Sequence, residues 1–73
     1  MKQSKLLDQI ARIVAAGQTD RSGGGRVVAC MIKYGDKLDG LTQNEIAEAI
    51  GWHSTAEISA GLKARTLLDM GIV

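Results

Sequence analysis

The sequence predicts an all-α domain, a bundle of three or four helices containing a helix-turn-helix, and three observations carry that expectation. Proline is absent from the 73 residues, so nine glycines supply the punctuation. Apolar residues near the start recur at i, i+3, i+4 and i+7, the spacing of a single helix face. A four-residue pattern, Ser or Thr at the first place and Glu at the fourth, occurs at Thr42–Glu45 and again at Ser54–Glu57. Each is the signature of a capping box, in which the hydroxyl and the carboxylate satisfy two otherwise unpaired N–H groups at a helix start.

The first helix is expected over about 4–16, with Leu6, Leu7, Ile10, Ile13 and Val14 on one face and Gly17 as its stop. Residues 17–25 read as a Gly-rich loop ending in Ser22-Gly-Gly-Gly25. Three glycines can wrap a phosphate with backbone N–H groups. However, the lysine and hydroxyl of a phosphate-binding loop do not follow, and no strand precedes the run. A flexible connection is the expectation. Arg26–Tyr34 is apolar at its centre, where periodicity alone does not separate a buried helix from a strand. Tyr34-Gly35-Asp36 has the character of a helix end, and a helix-turn-helix needs a supporting helix before it, so a helix over about 26–34 is expected. Lys37–Gly40 then reads as a polar turn.

The helix-turn-helix is expected over about 42–70. Leu41 and Ile46 stand at the two positions of a hydrophobic staple around the Thr42 cap. Ile46, Ala47 and Ile50 give the first helix its apolar face, and Gly51 ends it. The box at Ser54 opens a second helix, with Ile58 following as Ile46 did. A helix of about two turns cannot persist on propensity alone, so it must pack at once against its neighbours. The second helix has no single stripe: Ile58 and Leu62 lie together, while Ala56, Ala60, Ala64 and Leu67 gather nearly opposite. Either it breaks near Ala64 or it is covered on two faces, the second suiting a homodimer contact; an irregular last turn before Met70-Gly71 is the simpler alternative. Trp52, after the turn glycine, is expected to plug the space between the two helices, and His53 to be a surface residue.

Composition bounds the function classes. At this length only about 60% of the chain's surface is buried on folding, so stability is modest and a partner subunit would help. The 45% hydrophobic and 23% charged content is that of an ordinary globular domain. No apolar run approaches the roughly 18 residues a membrane span needs, and the first residues lack a signal peptide's apolar core. A cytoplasmic protein that engages no membrane is the expectation. Cys30 lies inside an apolar run and reads as a buried core thiol. With one Cys and one His, neither a metal site nor a nucleophile–base–orienter set can be assembled, so no metal, no cofactor and no enzymatic activity are expected.

With these motifs in place, residues 41–73 resemble the winged helix-turn-helix DNA-binding superfamily of bacterial and phage regulators. Leu-Thr-Gln-Asn-Glu-Ile-Ala-Glu-Ala-Ile-Gly looks like its supporting helix, Ile-Ser-x-x-Leu-Lys like its recognition helix, and Gly71-Ile-Val like the exit into the wing. Ile58 falls one position late and two extra residues precede Gly71. The first wing strand would only be starting at Val73, so a winged-helix-like domain with the wing short or absent is expected. The resemblance implies a sequence-specific DNA-binding transcriptional regulator that places the helix beginning near Thr55 in the major groove. Thr55, Glu57 and Ser59 would face bases, Glu57 accepting from cytosine where its capping role leaves it free. Lys63 would meet a phosphate. Thr42 and Gln43 would sit where the supporting helix crosses the backbone, with His53 and Ser54 beside them in the turn. Arg21 and Arg26 flank the glycines, either as a mobile basic arm or as solvated loop charges.

Charge pulls the other way. Residues 1–40 carry a balance of +3, whereas residues 41–73 carry −2. DNA affinity rests largely on Lys and Arg neutralising phosphates. A homodimer through Ala56, Ala60, Ala64 and Leu67 would double the contacts. The alternative is a protein-interaction module, an adaptor or phage-encoded inhibitor, that does not bind DNA.

Overall fold

A computed structural model describes residues 2–73 as four α-helices with no strand among them: α1 (Lys2–Ala16), α2 (Gly23–Tyr34), α3 (Gln43–Ile50) and α4 (Ala56–Asp69). The all-α bundle expected from the sequence is the observed architecture. A 3-10 turn at Gly35–Lys37 follows α2.

The core forms where the four apolar faces meet. Ile10, Val14, Val27, Met31, Ile46 and Ile58 are essentially sealed from solvent, with Cys30, Ala47 and Ile50 beside them. Leu6, Leu7 and Ile13, expected on the same face, lie half-buried at its margin. Leu38 is buried too, although it sits in the stretch read as a polar turn. The 3-10 turn carries the chain round so that this residue folds back under the bundle. Burial also pushes the Cys30 thiol pKa up, because the thiolate would lose its hydration.

Two boundaries differ from the sequence reading, each for a packing reason. The three glycines are not loop: Gly23–Gly25 form the first turn of α2, with Ser22 at its N-cap. A side chain at Gly23 would stand 3.0 Å from Cζ3 of Trp52, so the absence of Cβ there lets the indole lie against the start of α2. Gly17 follows α1 without adopting the left-handed conformation of a usual glycine stop. A Cβ there would stand 2.6 Å from Cδ of Arg26. The arginine fills that space, donating from its guanidinium to the Ile13 carbonyl (3.1 Å) and from Nε to Ser22 Oγ (2.8 Å). Arg26 is therefore a cap on the last carbonyls of α1 rather than part of a mobile arm.

The broadest packing is between α2 and α4. Gly61 is its closest point: a Cβ there would overlap Met31 and stand 2.8 Å from the Val28 carbonyl oxygen. Small size on α4 thus serves contact with α2 through Gly61, not through the alanines. Gly24 approaches Glu57 at one end, and Gly35 approaches Leu62 and Arg65 at the other. Numbering rises together along both helices, so α2 and α4 run parallel. At the far end Arg65 donates to the Ile32 (2.9 Å) and Lys33 (3.3 Å) carbonyls and pairs with Asp69. It caps α2 from outside, as Arg26 caps α1.

The helix α4 runs unbroken to Asp69, so the break considered near Ala64 does not occur. Gly71, at φ 75°, ends it, with the Ile72 N–H donating to the Leu67 carbonyl. α2 covers one side of α4. Ala56, Ala60 and Leu67 are exposed on the other side, and Ala64 is half-buried.

Candidate nucleic-acid interface

Of the residues singled out from the sequence, His53, Ser54 and Thr55 lie in the α3–α4 connection, Thr42 and Gln43 at the start of α3, and Glu57, Ser59 and Lys63 on α4. At the start of α3 the capping box is closed on both sides. The Glu45 N–H donates to Thr42 Oγ1 (3.1 Å) and the Thr42 N–H donates to a Glu45 carboxylate oxygen (2.9 Å). The Thr42 N–H, with the Thr42 side chain adding to it, holds the Glu45 carboxyl below the ordinary glutamate range by favouring its charged form. At the other end Gly51 takes the left-handed conformation (φ 71°) that its missing Cβ permits. The Trp52 N–H then reaches back to the Ala47 carbonyl (2.9 Å) and the Gly51 N–H to Glu48 (3.3 Å), a glycine-terminated helix end that turns the chain sharply.

The second box does not form. Ser54 Oγ accepts from the Ala56 N–H (3.1 Å), and α4 begins one residue after Thr55, whose own side chain makes no cap bond. The Glu57 carboxylate accepts from the Trp52 indole N–H (2.9 Å), and no bond from the Ser54 N–H closes the box. The indole bond is the main reason the Glu57 carboxyl lies below the ordinary range, with its own backbone N–H, His53 and the Ser54 side chain adding to it. Trp52 is thus more than a plug between α3 and α4. Its ring lies over Gly23 of α2 and tilts 40° from the His53 ring, with centroids 4.5 Å apart.

Of the expected base-facing residues, Ser59 is on the open side of α4, half-buried. Thr55 is half-buried at its threshold, and Glu57 is committed to Trp52. The face of α4 that the bundle leaves open is formed by Ala56, Ala60 and Lys63, with Ser59 at its edge. Thr42 and Gln43 are exposed at the start of α3, and His53 is exposed in the turn with half-buried Ser54 beside it. Asn44, not among the expected residues, joins Glu48, Trp52, His53, Ser54 and Thr55 in lining a cleft of about 300 Å³ along this turn. Its exposed place one turn before Glu48 was readable from the helix spacing once the cap at Thr42 had been identified.

A second cleft of about 300 Å³ lies on the other side of the Trp52–His53 pair, lined also by Gln18, Arg21, Gly23 and Gly24. Sequence separation hid this neighbourhood, because 30 residues lie between Arg21 and Trp52. Arg21 is exposed and holds φ 62°, an unusual conformation for a residue other than glycine. Arg26, its partner in the expected arm, is turned inward.

Among the described residues no three His, Cys, Asp or Glu side chains cluster as a metal site requires, and no helix is long and apolar enough to cross a membrane. No protein-family model, no curated protein and no solved structure matches the chain.

Proposed function

We propose that this chain binds double-stranded DNA sequence-specifically, as a small regulator that lays the first two turns of α4 in the major groove. The observation that carries the reading is the division of α4 into two faces. Ile58 and Gly61 are packed into the bundle, whereas Ala56, Ala60 and Lys63 face outward beside the sharp turn at Gly51. Short side chains on that face let the helix backbone approach base edges. Ser59 has a hydroxyl that pairs with either donors or acceptors, and Lys63 reaches a phosphate. Thr42 and Gln43, at the exposed start of α3, supply further backbone contacts.

This reading reassigns two earlier expectations. Glu57 acts through Trp52 in holding the turn and leaves base recognition to Ser59. Ala56 and Ala60 cannot serve a base-reading face and a homodimer contact together, so a dimer would use the C-terminal part of α4, where Leu67, Leu68 and Met70 are exposed. Those same apolar residues favour the second reading, a module that docks on another protein.

The two readings separate in one titration. A DNA binder shows weak binding to random duplex at low salt that collapses as salt rises. Because Arg65 is spent on capping α2, Lys63 is the one cation left within residues 41–73, so this affinity is low. Lys63→Ala weakens binding to all sequences alike, and Ser59→Ala changes the order of preference among sequences. Absence of any binding at low salt sinks the proposal.

A further inference from the structure

The parallel packing of α2 and α4 has a topological consequence: the connection before α2 and the connection before α4 arrive at the same end of the molecule. There the α1–α2 connection supplies Gln18 and Arg21, and the α3–α4 turn supplies Trp52 and His53, as walls of one open cleft of about 300 Å³. We propose that this cleft seats a backbone phosphate of the duplex that α4 reads, with Arg21 as its cation. The inference rests on the DNA-binding reading and extends it to a part of the chain outside the α3–α4 unit.

Three observations support it. Arg21 is the single Lys, Arg, Asp or Glu lining the cleft, whereas the cleft on the other side of Trp52 and His53 contains Glu48. Arg21 is therefore the one formal charge on the cleft's lining, and the Glu57 carboxylate that borders Gly24 is engaged by the Trp52 indole N–H. Arg21 also takes part in none of the ion pairs among the described residues, which engage Arg26 and Arg65 instead. Its guanidinium is free for a ligand, and the Gln18 amide and the His53 ring offer further donors to a phosphate oxygen. Finally, Arg21 keeps its left-handed backbone because the next turn is tied down: Asp20 accepts from the Ser22 N–H (3.0 Å) and from its hydroxyl (2.6 Å). Glycine would suit that conformation better than arginine does. The side chain therefore has a use that offsets its backbone strain.

The test is the salt dependence of binding to a random-sequence 16-base-pair duplex, measured for the full chain and three variants. Arg21→Gly removes the cation and relieves the backbone. It is expected to make the slope of log affinity against log salt shallower by about 0.9, one phosphate contact, while its thermal midpoint stays level or rises. Arg12→Gln, on the outer face of α1 with Lys5 and Asp8, is expected to leave the slope unchanged. Lys63→Ala reports on α4 independently. A wild-type slope in Arg21→Gly alongside a shallower one in Lys63→Ala overturns the inference and leaves the DNA reading standing. An equal loss in Arg12→Gln overturns it as well, since attraction would then be diffuse. If the wild type itself does not bind at low salt, the DNA reading falls and this inference falls with it.

Discussion

Thr42 and Ser54 begin the same four-residue pattern, yet one start closes into a reciprocal cap and the other does not. At α3 the hydroxyl and the carboxylate find each other because nothing nearby competes for Glu45. At α4 the indole N–H of Trp52 competes for Glu57 and wins. Half-buried between α2 and α4, that donor has little water to fall back on, and leaving such a group unpaired costs about 1–3 kcal/mol. A capping sequence is an offer of hydrogen bonds, and the tertiary surroundings decide which offers are taken.

The contrast can be broken from the α4 side first, because α4 is held by packing where α3 starts on a local cap. Gly61→Ala drives a methyl into Met31 and the Val28 carbonyl. The parallel helices must part, so a net loss of about 2–3 kcal/mol is expected in urea denaturation, despite alanine's better helix propensity. A smaller loss than about 1 kcal/mol would mean that the α2–α4 seam is looser than the contact implies.

Trp52→Ala comes next. It removes the half-buried ring that joins α2, α3 and α4, and a loss of about 2 kcal/mol is expected, below the range for a fully buried tryptophan. Trp52→Phe is the sharper variant, since it keeps most of the ring and deletes only the N–H. The Glu57 carboxylate then depends more on the Ser54 side chain, which also holds it, and the cost of Ser54→Ala should rise. A double-mutant cycle between positions 52 and 54 therefore shows coupling. Independence of the two substitutions would show that Trp52 and Ser54 do not act through a shared Glu57.

Smaller still is the difference between the two caps themselves. Thr42→Ala opens a closed box and is expected to cost about 1 kcal/mol. Ser54→Ala loses one hydroxyl bond to the Ala56 N–H and should cost about half as much. Equal costs, measured by denaturation in the same buffer, would argue that both boxes close in solution.

The smallest effect is on pH dependence. The Glu45 and Glu57 carboxyls both sit below the ordinary glutamate range in the folded protein, through the Thr42 bonds and the Trp52 bond respectively. A depressed folded pKa means that the unfolded chain binds the proton more readily. The resulting stability is therefore present above the ordinary range, near pH 4.3, and is lost as the pH falls through the folded value. Thermal midpoints should be level from about pH 7 to 5 and fall below that. Trp52→Phe should flatten the part due to Glu57 and leave the part due to Glu45.

Much of this fold was legible because its signals are short-range. The period of Leu6 to Val14, the Thr42 box and the glycine at position 51 act within four or five residues, so their outcomes follow from local geometry. Gly23–Gly25 were misread as loop for the opposite reason. Glycine weakens a helix intrinsically by about 1 kcal/mol per residue, and only the indole of Trp52, far along the chain, makes a residue without a side chain fit there. Leu38 was missed because a single apolar residue between charged neighbours has no periodicity to betray its burial. The candidate interface was half legible. Thr42, Gln43, His53 and Lys63 are exposed and Ser54 is half-buried, whereas Glu57 and Arg26 were drawn inward by an indole and by helix-end carbonyls.

What the sequence by itself determined, then, is the all-α class, the start and stop of α3 and the sharp turn after it. The necessary partners lie within one helical turn of each other. Tertiary structure alone decided that α2 and α4 run parallel through Gly61, that Arg26 and Arg65 cap helices they do not belong to, and that Arg21 stands beside Trp52 and His53. Those arrangements join residues 13 to more than 30 positions apart. Contacts at such range are selected by the shape and hydrogen-bonding needs of the assembled core, which no local pattern encodes.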